Sequence, residues 1–252
     1  MPDGRPIPGT YARPDELAAL AGALAERGRG TIEVVPRIGE RDGPDRENSL
    51  AEMAWMEVVS RAAGRPLTFT IMQSDRRPGL WAWVMDRVAE ARARGADLRP
   101  QTSARGTGIV YGLVGRTPYD DLPAWAELMA RPFPARLAAL ADEAVRRRLV
   151  SQAGEPRALT GPLAPKDPDK LYLLPPGPAR YDVGPGNSLA AEAARRQTTP
   201  AGAFLAYTVE TAGRGLLYYP VLNQDLDAVA QMLINPDVVV GVADAGAHVA
   251  LT

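Results

Sequence analysis

The chain has 252 residues, with 29 basic and 30 acidic side chains and a formal net charge of −1, so it offers neither the basic footprint of a nucleic-acid binder nor an acidic solvating tail. An apolar share of 46% beside 23% charged residues is that of a globular chain and excludes disorder throughout. The absence of cysteine and the single histidine, His248, exclude disulfide scaffolds, thiolate zinc sites, iron–sulfur clusters and any site that needs two imidazoles from this chain.

The predicted elements alternate between helix and strand. Pro14 suits a first helical position, and Asp15 and Glu16 suit the positive end of the helix dipole. Leu17, Leu20, Ala21 and Leu24 then form one stripe before Gly28 and Gly30 stop the helix. Residues 31–38 (TIEVVPRI) are short, β-branched and glycine-bounded, which predicts a buried strand. A second helix follows, with Ser49 and Glu52 at capping-box spacing, Leu50, Met53, Met56 and Val59 on one side, and Gly64 as a left-handed stop ahead of Pro66. The same order returns as strand 67–73 (LTFTIMQ), helix 80–94, Gly95 as the stop, and strand 97–101 (DLRPQ).

The glycine stops at 30, 64 and 95 recur at the length of a βα unit, well beyond hairpin spacing, so parallel strands are expected. After Gln101 the rhythm breaks into a long loop. Helical stretches follow, with Leu137, Leu140, Ala141, Ala144 and Val145 on one face. Residues 154–188 hold eight of the 24 prolines around a short apolar island, 171–174 (LYLL), and predict an irregular excursion with one strand. Helices resume near Ser188, Pro200 and Gln224, and the last strand is 237–242 (DVVVGV).

The strongest local signal is VVVGVADAGAHV. A β-branched strand delivers Asp244 to its carboxyl end among small residues that allow close approach, with His248 four positions on. Two readings stand at this point: Asp244 caps the next helix and His248 is a satisfied loop residue, or both belong to a site at the sheet edge. Gln73 and Gln101 also fall at predicted strand ends, as substrate contacts or as surface amides bonded to loops. Arg105 can clamp a carboxylate or lie solvated. Gly106, Gly108 and Gly112 miss the dinucleotide-binding spacing, and Trp55, Trp81, Trp83 and Trp125 read as packing residues. No apolar run reaches the roughly 18 residues of a membrane span, and residues 1–10 lack a basic start followed by an apolar stretch. A cytoplasmic protein with no membrane or nucleic-acid partner is expected.

Taken together, DGRPIPGTYARPDEL, GRPLTFTIMQ, LRPQ, IVYGL, RTPYDDLPAWAELMARP and NPDVVVGVADAGAHV resemble the N-acyl-D-amino-acid deacylase (D-aminoacylase-like) branch of the amidohydrolase superfamily. The resemblance runs over essentially the whole chain and is most specific in the terminal G-x-x-D-A-G-A-H. It implies an α/β fold, a partial (β/α)8 TIM-type barrel covering approximately strands 4 to 8. Residues 1–252 would then be a single incomplete barrel domain, truncated at both ends, that folds poorly and is inactive alone. It further implies zinc-assisted hydrolysis of a small-molecule amide, with Asp244 as acid–base and metal ligand and His248 orienting it or touching substrate, while Gln73, Gln101 and Arg105 are expected to face substrate from their positions at strand ends and in the following loop. The family places histidine ligands at the ends of its fifth and sixth strands, where this chain carries Gln73 and Gln101. A noncatalytic barrel-type binding protein that has lost its metal ligands is therefore the alternative expectation.

Overall fold

A computed structural model describes residues 12–156, 166–178 and 183–241, and these fall into two compact units. The first unit, up to Gly106 and again from Leu222, is built from βα units. Helix α1 (Pro14–Arg27) leads to β1 (Ile32–Val34), α2 (Glu47–Ala63), β2 (Leu67–Thr70), α3 (Leu80–Ala93) and β3 (Leu98–Thr102). Helix α9 (Leu226–Leu233) and strand β7 (Val239–Val240) complete it after the second unit. The strands form one sheet in the order β1-β2-β3-β7, with every pair parallel, as the glycine spacing predicts. Gly28 and Gly64 sit in the left-handed region at φ 60° and 57°, where a side chain costs energy, so glycine ends both helices. Among the described residues the sheet is open, with β1 and β7 at its edges.

Alternation along the strands sorts the side chains onto two faces. Ile32, Val34, Leu67, Phe69 and Leu98 face Met56, Val59, Ala63, Val84, Val88 and Ala91 of α2 and α3 in a single apolar core. The opposite face carries Glu33, Thr68, Thr70, Arg99 and Gln101. Parallel sheets usually bury apolar residues on both sides, so a polar face of this kind marks the side on which polar chemistry is possible.

The structure corrects the reading of Ser49 and Glu52 as a capping box. Helix α2 starts three residues earlier, at Glu47 with Arg46 as its N-cap, and Ser49 instead accepts from the Gly39 backbone N–H (2.8 Å) and donates its hydroxyl to Asp42 (2.6 Å). Glu52 accepts from the Trp55 indole (2.9 Å) and the Arg37 backbone (3.2 Å). The pair secures the loop after β1, a task for which short acceptors serve equally well.

The second unit, residues 107–221, contains two strands that the sequence did not announce, β4 (Thr107–Tyr111) and β6 (Leu216–Leu222, whose last residue belongs to the first unit). They form a three-stranded sheet, β4-β6-β5, with β5 (Tyr172–Leu174) antiparallel to β6. A Cβ at Gly108 would lie 2.2 Å from the Tyr218 ring and 2.7 Å from the Tyr219 carbonyl, so the glycines of 106–112 include one that lets two strands touch. Helices α4 (Pro123–Met129), α5 (Phe133–Ala139), α6 (Glu143–Ala153), α7 (Leu189–Arg195) and α8 (Pro200–Glu210) surround a core centred on Trp125 and Phe204, both fully buried. Trp125 stacks on Phe204 at 6.0 Å and donates its indole N–H to the Leu149 carbonyl (3.0 Å). Tyr207 donates to the Leu174 carbonyl, and burial pushes its hydroxyl pKa up to about 12, so it stays a donor at any physiological pH.

Several carboxylates are held below their ordinary values. Burial alone raises Asp42, but the Ser49 hydroxyl and amide and the Arg77 guanidinium outweigh it. The two-pronged bond from Arg94 (2.8 and 2.6 Å) lowers Glu57, and Arg196 and then Arg195 lower Glu192. A depressed carboxylate contributes stability that is complete above its unfolded value, here 3.8 for Asp and 4.5 for Glu, and is lost as pH falls through the lower folded value. The denaturant midpoint is therefore expected to stay level as pH drops from 7 to about 5 and to fall steeply below about 4. A midpoint that is unchanged down to about pH 2 would contradict these pairings.

Candidate functional site

In parallel sheets the loops leaving the carboxyl ends of the strands gather on one edge, and that edge is where ligands bind. Here it is formed by the segments after β2 and β3, the turn before α9, and Gly241 after β7. The residue that joins them is Asn223, fully buried and left-handed at φ 55°, a conformation that asparagine tolerates better than most side chains. Its side-chain oxygen accepts the Gln73 backbone N–H (2.9 Å), and its amide group donates to the Ser103 carbonyl (3.1 Å), with Thr102 and Ser103 hydroxyls at 3.3 Å. Its own N–H donates to the Gln73 carbonyl (2.9 Å). One side chain thus fastens the ends of two adjacent strands to the turn that starts α9.

Gln73, 3% exposed, closes the same clamp. Its side-chain oxygen accepts from the backbone of Gln224 (3.0 Å) and Asp225 (3.3 Å), and its amide nitrogen donates to Asp75 (3.0 Å). Asp225 in turn caps α9 through the N–H groups of Asp227 and Ala228. Gln101 lies within β3, which runs on to Thr102, so its side chain projects from the polar face of the sheet and donates to the Thr68 hydroxyl (2.5 Å). Arg105 is exposed on the loop after β3, with one guanidinium nitrogen 3.3 Å from the Gly106 carbonyl. Asp244 and His248 lie outside the described residues.

Strand β7 runs alongside β3 with Val239 opposite Gln101 and Val240 opposite Thr102, and the Gly241 N–H donates to the Thr102 carbonyl (2.9 Å). A Cβ at Gly241 would lie 2.9 Å from the Gln101 side-chain oxygen, so a glycine here lets the end of β7 rest on that amide. The last described residue of the chain is therefore on the edge, beside Gln101.

The edge residues do not fit a zinc shell. The Gln73 oxygen is committed to two backbone donors, neutral amides are weak zinc ligands beside imidazole, and among the described residues no three His, Cys, Asp or Glu side chains cluster to hold a metal ion. Asn223 is the residue that sequence reasoning left without a role. The usable signal was its place just ahead of Gln224, at the start of a predicted helix, since asparagine tolerates the left-handed region that such turns use.

No protein-family model matches the chain, and no curated protein matches it. Among solved structures it is similar to an N-acyl-D-glutamate deacylase from Bordetella bronchiseptica, complexed with zinc and a phosphonate that mimics the reaction's tetrahedral intermediate. That pair is 17% identical over 93% of this chain and 36% of the other, with a TM-score of 0.37. It is also similar to a D-aminoacylase variant in complex with copper chloride (14% identity, 94% of this chain, 36% of that one, TM-score 0.37). A third is a D-aminoacylase described as defining a novel subset of amidohydrolases (12%, 94%, 36%, TM-score 0.39). The chain spans about a third of the length of each, and similarity at this level does not fix an activity.

Proposed function

We propose that the chain is part of an amidohydrolase-type enzyme that cleaves a carbon–nitrogen amide bond outside peptides, in the manner of N-acyl-D-amino-acid deacylases, with Asp244 as the acid–base. The four parallel strands would belong to one (β/α)8 domain, with the 107–221 unit as an excursion between its strands. The observation that carries the reading is the register of β7: it runs parallel to β3 and brings Gly241 to the carboxyl edge beside Gln101, three residues before Asp244.

In this reading the Asp244 carboxylate takes a proton from water as the water oxygen attacks the amide carbon. It then returns that proton to the nitrogen as the C–N bond breaks, leaving a carboxylic acid and an amine. Gln101, Arg105 and His248 face the substrate, and Gln73 acts through the clamp that holds the edge in shape. Zinc, which the sequence resemblance implies, finds no shell among the described residues, so no step runs through it.

A specific observation favours a second reading, a noncatalytic binding barrel: the two edge positions that resemble ligand-bearing strand ends carry neutral amides, one of them fully engaged internally. The two separate in one experiment on the longest native chain containing this sequence. Incubation with a panel of N-acyl D-amino acids, with metal analysis after dialysis, is expected to release free amino acid. Saturable binding of the same compounds without product would overturn the enzymatic reading in favour of the second.

A further inference from the structure

Helix α2 is apolar on two sides. One side gives Met53, Met56 and Val59 to the core. On the side turned away from it the helix exposes Glu47, Leu50, Ala51, Ala54, Val58 and Arg61, which at about 3.6 residues per turn fall in one band about 100° wide. Between its two end charges the band carries no polar side chain, and Leu50 and Val58 are 45% and 54% exposed. A surface helix ordinarily turns polar residues outward, so an apolar outer face is a surface to be covered.

We propose that a second copy of the chain covers it, with the two α2 helices packed antiparallel about a twofold axis at Ala54. The inference does not depend on the hydrolytic reading.

The band is its own complement. Ala54 stands midway between Glu47 and Arg61 and also midway between Leu50 and Val58. A twofold axis through Ala54 therefore sets Leu50 against the partner's Val58 and Glu47 against the partner's Arg61, and each contact occurs twice. The end charges are 14 positions apart, about 21 Å along the helix, so both ion pairs close only in the antiparallel arrangement. A parallel pair would set like charges together. A foreign partner draws no benefit from this symmetry, which is why the charge pattern favours a second copy. Alanine at the crossing point lets the helix axes approach to the near end of the usual range, about 8 Å.

Both end charges are free to take part. Arg61 is 57% exposed and lies 3.9 Å from Glu57, the outer limit of an ion pair. Glu57 is itself held by Arg94 at 2.8 and 2.6 Å, so it makes little claim on Arg61. Glu47 accepts the Gly43 backbone N–H (3.1 Å), and a carboxylate has acceptor sites beyond that one. A single pair of helices buries less than the roughly 800 Å² per partner of a standard interface, so the dimer should be of the concentration-dependent kind.

Sedimentation equilibrium of the longest native chain containing this sequence, over about 5 to 500 µM, is expected to show a monomer–dimer equilibrium. Leu50→Glu buries a carboxylate against the partner's Val58 and should weaken association by about tenfold or more, with the melting curve close to wild type because the site is exposed in the monomer. Glu47→Arg and Arg61→Glu each bring like charges together and should weaken it by about threefold to tenfold. The double variant Glu47→Arg, Arg61→Glu reverses both charges and should return to within about twofold of wild type. A chain that stays monomeric over the whole range would overturn the proposal, as would a dimer whose affinity is unchanged in Leu50→Glu and in both single charge variants. A monomer whose melting temperature drops in Leu50→Glu would also overturn it, and would assign the band to another segment of the same polypeptide.

Discussion

Replacing Asn223 by alanine is expected to destabilise the chain by about 3–5 kcal/mol. The change strands the Gln73 backbone N–H and the Ser103 carbonyl in a fully buried place, and an unmet buried group costs about 1–3 kcal/mol. It also leaves a Cβ-bearing residue that cannot bond its surroundings at φ 55°, at a further cost of about 1 kcal/mol. The two contributions separate by substitution. Asn223→Gly relieves the backbone but not the lost bonds, and should recover only about 1 kcal/mol. Asn223→Asp keeps the acceptor for Gln73 but turns a carboxylate oxygen toward the Ser103 carbonyl, so it should be no better than alanine. Urea denaturation measures all three. An alanine variant within about 0.5 kcal/mol of wild type would show that the clamp does not hold the edge together.

The parallel βα half of the fold was legible because its signals are local. Gly28 and Gly64 stop helices by chirality, Met53, Met56 and Val59 of the predicted stripe face the sheet while Leu50, predicted with them, is exposed, and strand–helix spacing alone implies crossover connections. Strands β4 and β6 were not legible. Gly108 and Pro220 dilute the β pattern of each, and their stabilising partners are each other, more than 100 residues apart in sequence. A pairing that distant leaves no periodic trace in either segment.

The candidate site divides in the same way. That Gln73 reaches the carboxyl edge followed from the strand before it. That its amide is spent on the turn before α9 did not, since Gln224 and Asp225 lie about 150 positions further along. Gln101 was placed at a strand end, but β3 continues through Thr102, so its side chain leaves from the face of the sheet beside Thr68. Alternation along β3 places Gln101 on the same face as Arg99, and its pairing opposite Thr70 on β2, which no segment of sequence reveals by itself, fixes what that amide meets.

In the proposed reading, the largest effect expected on activity belongs to Asp244→Asn. Asparagine matches aspartate in shape but cannot accept a proton from water or return one to a leaving nitrogen, so turnover should fall by about 10²–10⁴-fold or more with the fold intact. The loss should appear in kcat, because the step removed is proton transfer and not binding. The decisive measurement compares initial rates of N-acyl amino acid hydrolysis by wild-type and Asp244→Asn protein of equal melting temperature. The account predicts turnover in the first and almost none in the second. Equal rates in the two would contradict it.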